Sequence, residues 1–121
     1  MILGEVCIET NDVIKLSDFY RRILHLAENT EDTQEYKDEI HQFIITEGTT
    51  LTIYNDGKEK NNNNVNISLA FTVEDVDAEY EQLLSLGVNI IEPPTLRPWG
   101  AKNMHFQDPD NNHIYFRSLP K

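Results

Sequence analysis

Apolar and polar positions alternate through residues 2–10, with Val6 and Ile8 on one side and Glu5, Cys7 and Glu9 on the other, which predicts a half-buried strand. The period then lengthens. Val13, Leu16, Phe19, Tyr20 and Ile23 recur at spacings of three and four, so a helix follows, capped by Asn11 or Asp12, with Lys15, Asp18, Arg21 and Arg22 on its wet side. Strand-like runs at 40–46 and 49–55 flank the turn signal Glu47-Gly48, and a weaker strand is expected within 28–37. Residues 55–64, "NDGKEKNNNN", contain no apolar side chain and read as a linker. After it, Val65, Ile67, Leu69, Phe71 and Val73 alternate with Asn66, Ser68, Ala70 and Thr72. A second helix starts at Asp75, points Val76, Tyr80, Leu83 and Leu84 inward, and stops at Gly87. A short strand at 89–92 ends at Pro93-Pro94, and strands at 102–107 and 113–118 pair around "DPDNN".

The second half repeats the first. At an offset of 63 residues "EVCIETNDV" falls on "SLAFTVEDV", Asp12 meets Asp75, Val13 meets Val76, Leu51 meets Ile114 and Ile53 meets Phe116. Two tandem βαβββ modules account for this pattern, an α+β chain with module one at 1–56, a linker at 57–64 and module two at 65–121, together one domain. The first and last strands of each module keep an apolar face, which that module's helix must cover. Their other faces are mixed: Glu5, Cys7 and Glu9, then Thr50 and Thr52, in the first module; Asn66, Ser68 and Ala70, then His113, Tyr115 and Arg117, in the second. If the two sheets join and curl, these faces line a shared concave cup with the helices outside, a place for a small ligand.

Charge narrows the partners. Lys and Arg number 10 against 21 Asp and Glu, a formal net charge of -11, so the mean surface field repels phosphate backbones and anionic lipid; it would favour a cationic guest, although keeping the protein in solution is the simpler role of an acidic surface. Neither nucleic acid nor membrane is expected as a partner. Cys7 is the single cysteine, which excludes an intrachain disulfide framework and a Cys-based zinc cluster. With no apolar run of about 18 residues and no signal-peptide pattern at the N-terminus, the cytoplasm is the expected address.

Several stretches resemble one family. The helix "DFYRRILHL", the strand and helix "LAFTVEDVDAEYEQLLSLGV", and the closing "PWGAKNMHFQDPDNNHIYF" are similar, in that order and over nearly the whole chain, to motifs of the vicinal oxygen chelate superfamily, the glyoxalase / bleomycin-resistance / extradiol-dioxygenase group. The resemblance implies paired βαβββ modules around a cup. In enzymes of the group it also implies a divalent metal held by His and Glu on the first and last strands of each module. Carried over, those positions are Glu5, Thr52, Ser68 and Tyr115. Only Glu5 is a good ligand for such an ion, which usually needs about three imidazole or carboxylate donors. No metal at those positions, and no cofactor, is therefore expected.

The remaining candidates surround the cup. Pairing around "DPDNN" sets Gln107 opposite His113, His105 opposite Tyr115 and Asn103 opposite Arg117, with Met104 and Phe106 toward the helix, so His105, Tyr115 and Glu5 could converge. His105 and His113 with one carboxylate would make an atypical metal set, but hydrogen bonding is their simpler role. His25 ends the first helix, where it suits the C-terminal carbonyls, and the face of His41 depends on whether the Glu47-Gly48 turn has two residues or four. Trp99 stands on a loop at the rim, as a stacking lid or as packing, and Cys7 faces the cup as an inert thiol. Asp108 is expected to cap its own turn. The ligand-binding set is thus Glu5, Cys7, Thr52, Ser68, Trp99, His105 and Tyr115, with no catalytic residue assigned. Missing ligands, a cup-facing carboxylate and the negative charge fit a metal-independent binding protein for a cationic small molecule, similar to the bleomycin-resistance branch, whose members imply a homodimer. A metal-dependent lyase, isomerase or dioxygenase is the competing reading. A third, a metal-free enzyme with Glu5 as base and Tyr115 or His105 as acid, is not demanded by any spacing.

Overall fold

Val6 and Ile8 are half-buried and Glu5, Cys7 and Glu9 exposed along β1 (Glu5–Glu9), so the strand adopts the alternation written in its sequence. The structure, a computed structural model, describes residues 1–26, 41–61 and 67–120, and the chain divides into two units, Met1–Asn61 and Asn62–Lys121. Strand β1 is shorter than the run at 2–10, and Ile2 and Leu3 are exposed before it.

In the first unit Asp12 caps α1 (Val13–Ile23), its carboxylate accepting from the Lys15 amide at 3.0 Å. Val13, Leu16, Tyr20 and Ile23 are buried as expected. Arg21, expected on the wet side, is buried too, only 5% exposed, and its Nη2 donates to the Phe43 carbonyl at 3.3 Å. The reason is stripe width: Val13, Leu16, Ser17, Tyr20 and Arg21 stand at i, i+3, i+4, i+7 and i+8, one continuous face on which the guanidinium is tolerated because it has hydrogen-bonding partners. Strands β2 (His41–Ile45) and β3 (Thr50–Tyr54) form an antiparallel hairpin, and β3 runs parallel to β1, giving the sheet order β1-β3-β2. Ile44, Leu51 and Ile53 meet the buried stripe of α1. The weak strand expected within 28–37 lies outside the described residues.

The second unit repeats the plan, with four strands among the described residues. Strand β4 (Ser68–Thr72) leads to α2 (Val76–Ser85), then to β5 (Asn89–Leu96), β6 (Lys102–Gln107) and β7 (His113–Ser118), in the sheet order β4-β7-β6-β5. Asp75 caps α2, accepting from the amides of Asp77 and Ala78. Helix α2 fully buries Val76 and Leu83, whereas Leu84, expected inward, is 47% exposed at the margin of a narrower contact. Met104, Phe106, Ile114 and Phe116 form the sheet's buried side, with Phe106 and Phe71 each edge-on to Phe116.

Strand β5 corrects another expectation. It does not stop at Pro93-Pro94 but runs on to Leu96, with register shifts between Ile90 and Glu92 and between Glu92 and Thr95. The prolines are accommodated because β5 is the outermost strand of this sheet and its pairing is irregular there, so missing amide donors cost no ladder bond.

Candidate functional site

On the first unit's sheet, the face away from α1 is set by register. Glu5, Cys7 and Glu9 lie beside Thr50, Thr52 and Tyr54, and those beside Ile45, Phe43 and His41. The hairpin loop is the two-residue form: Thr46 donates its amide to the Thr49 carbonyl at 3.0 Å, and Gly48 takes the φ of 85° that such a turn requires. That decides the face of His41. Its ring stacks on Tyr54 with centroids 5.9 Å apart and planes at 4°, and on Phe43 at 6.4 Å and 15°.

Carboxylates border this row of rings. Thr52 Oγ1 donates to Glu5 Oε2 at 2.5 Å, and Tyr54 donates its hydroxyl to Glu9 Oε2 at 3.1 Å. Lys60 Nζ donates to Glu9 Oε1 at 2.5 Å and to Asp56 Oδ2 at 2.8 Å. The Lys60 hydrogen bond holds the Asp56 carboxyl down at about 2, and the bond to Glu9 raises the Tyr54 hydroxyl. Asn11 ties the following segment back: its Nδ2 donates to the Lys58 carbonyl and its Oδ1 accepts the Lys60 amide, both at 2.8 Å. Slight burial, then Glu5, push the exposed Cys7 thiol up, which disfavours the thiolate.

The second unit's corresponding face carries a different set. Ser68 is the register partner of His113, and Ala70 of Tyr115. Across the β6–β7 hairpin Gln107 pairs with His113, His105 with Tyr115 and Asn103 with Arg117, the pairing read from the sequence. Asp108 closes the turn, its Oδ1 accepting the amides of Asp110 and Asn112 at 2.9 Å. His105 Nε2 stands 2.8 Å from His113 Nδ1, and the His105 ring stacks on Tyr115 at 4.4 Å and 7°. Glu92, the register partner of His105 on β5, is ion-paired with Arg97. Burial, then His113, hold the His105 imidazole below its ordinary value.

Asn103 was not singled out by the sequence. Its Oδ1 is buried and has no hydrogen-bond partner. Its register partners Thr95 and Arg117 carry donors that bond other groups: Thr95 donates its hydroxyl to the Pro93 carbonyl at 2.8 Å, and Arg117 donates from Nε to Thr72 Oγ1 at 3.1 Å. Tyr54 was missed as well, although its alternation with Thr50 and Thr52 carried the signal. Glu5, Cys7 and Thr52 thus share one face of the first unit, and Ser68, His105 and Tyr115 one face of the second. Trp99 is separate, 67% exposed in the β5–β6 loop where Gly100 donates its amide to the Arg97 carbonyl.

A divalent metal at Glu5, Thr52, Ser68 and Tyr115 is not supported by these residues. The Glu5 carboxylate already accepts the Thr52 hydroxyl, and Tyr115 lies stacked under His105. Among the described residues no group of three or more His, Cys, Asp or Glu side chains is placed to hold a metal ion. Nor is any helix among them long and apolar enough to cross a membrane.

Comparison with known proteins gives these faces a family. A curated relative from Bacillus subtilis (strain 168), the uncharacterized protein YraH, is 31% identical over 122 residues, covering 94% of this chain and 95% of its own. The fold matches a glyoxalase/bleomycin resistance protein/dioxygenase family enzyme from Burkholderia phytofirmans PsJN with a TM-score of 0.80 at 17% identity, over 98% of this chain and 99% of the other. A glyoxalase/dioxygenase from Nostoc punctiforme matches with a TM-score of 0.77 at 22% identity, over 98% and 91%. The family model for the Glyoxalase/Bleomycin resistance protein/Dioxygenase superfamily matches residues 2–116, and the chain belongs to that superfamily.

Proposed function

We propose that this protein binds a small, cationic and partly planar molecule without a metal at Glu5, Thr52, Ser68 or Tyr115, and that it works as a homodimer. The observation that carries this reading is the first unit's mixed face, where the row Tyr54, His41 and Phe43 runs beside the carboxylates of Glu5 and Glu9. Ring faces and carboxylates both attract a cation, and the rings also take the flat part of a guest. The formal net charge of -11 adds a long-range field of the same sign. The competing reading, a metal-dependent lyase, isomerase or dioxygenase of the same superfamily, needs about three strong donors, and Thr52, Ser68 and Tyr115 do not supply them.

A thermal-shift panel of divalent metals, EDTA and cationic aromatic compounds, bleomycin-type glycopeptides among them, separates the two. Stabilisation by an organic cation that persists in EDTA is expected, and Glu9→Gln should weaken binding by about 1.4- to 5-fold, one exposed charge contact being worth roughly 0.2–1 kcal/mol. Stabilisation by a divalent metal and by none of the organic cations would overturn the reading.

A further inference from the structure

The two imidazoles of the second unit meet head-on. Their facing nitrogens, His105 Nε2 and His113 Nδ1, are 2.8 Å apart while the ring centroids are 5.0 Å apart, so the nitrogens lie close to the line joining the rings and aim at each other. One hydrogen sits between them, whichever ring supplies it. With both rings neutral, one donates and the other accepts. One added proton goes to an outer nitrogen and turns the pairing into a charge-assisted hydrogen bond, which is stronger. A second added proton leaves a hydrogen on both facing nitrogens and a positive charge on both rings, so the hydrogen bond must break.

The surroundings do little to relieve that conflict. His105 is stacked on Tyr115, and the ladder holds β6 and β7 in register from Lys102 and Ser118 to Gln107 and His113. Within this unit, β5 faces the pair with Glu92, already bound to Arg97, and β7 adds Tyr115 and Arg117. Strand β4 contributes Ser68, Ala70 and Thr72, and β6 adds Asn103 and Gln107, none of which titrates in this range. One carboxylate, Glu92, thus favours a charged His105, against burial and the His113 charge.

We propose that His105 and His113 form an acid-sensitive latch between β6 and β7, closed with no added proton or with one and open with two. The sign follows from proton counting. The unfolded chain takes a proton on each imidazole near 6.5, whereas the closed latch takes at most one, so below 6.5 the closed form loses stability as pH falls.

The test uses the full chain without a histidine tag, between pH 8 and 4.5. Nitrogen-detected NMR of the ring nitrogens should show two separated protonation steps in the wild type, with the hydrogen bond between the rings broken at the second. In urea unfolding, the wild-type unfolding constant should climb below pH 6.5 more steeply than that of His113→Gln, by up to about tenfold per pH unit, since glutamine can accept from His105 without carrying charge. Should that variant fail to fold, His105→Phe keeps the stack on Tyr115 and serves the same comparison. Parallel pH profiles for wild type and variant, or both rings doubly protonated with their hydrogen bond intact, would overturn the proposal.

Discussion

At the scale of single residues, polar groups on this molecule fall into those whose bonds are complete and those left open. Arg21 is of the first kind, buried at the end of a helical stripe and bonded to a strand carbonyl. Asn103 is of the second, its Oδ1 passed over by the donors of Thr95 and Arg117. A buried acceptor without a partner costs roughly 1–3 kcal/mol, so the near-isosteric Asn103→Leu should raise the urea midpoint of the ligand-free protein by the equivalent of about 1 kcal/mol. A lower midpoint would show that the amide contributes to folding.

Elements repeat more faithfully than residues. Both helices end in the same hydrogen-bond arrangement: Leu26 and His25 donate to the carbonyls of Arg21 and Arg22, and Val88 and Gly87 to those of Leu83 and Leu84. This is the Schellman closure, and it needs a left-handed residue, with φ 58° at His25 and 73° at Gly87. A Cβ at Gly87 would touch nothing within 4 Å, so Gly87→Ala isolates the backbone cost. Its unfolding free energy in urea should fall by about 1 kcal/mol, and an unchanged value would mean that the turn relaxes out of the left-handed region. The two closing hairpins differ in the same manner. Residues 46–49 join β2 to β3 and residues 108–112 join β6 to β7, one residue more and closed by Asp108 and its bonded amides, which moves the pairing by one residue and puts Phe43 opposite Thr52 where His105 stands opposite Tyr115.

For the whole molecule, the proposed dimer is the arrangement to test. Light scattering on a size-exclusion column should give a mass near twice 14.0 kDa at micromolar concentration. A mass near 14.0 kDa across that range would remove the dimer from the proposed function while leaving the ligand reading to the thermal-shift panel.

Much of this architecture was legible in the chain. Period-two alternation on β1 and β4, the Asp12 and Asp75 caps and the pairing around "DPDNN" rest on local rules acting over a few residues, and the 63-residue repeat is those same local signals written twice, so one sequence carries them. Where a local rule competed with packing, packing won. Arg21 reads as a surface charge until α1 meets β2, and Pro93-Pro94 reads as a strand end until β5 takes the outermost place in its sheet. The unbonded Asn103 Oδ1, the head-on imidazoles and the stacking of His41 on Tyr54 depend on which side chains cross-strand register sets side by side. That register joins residues distant along the chain, so local pattern determined the elements and tertiary structure alone decided which donors, acceptors and rings meet.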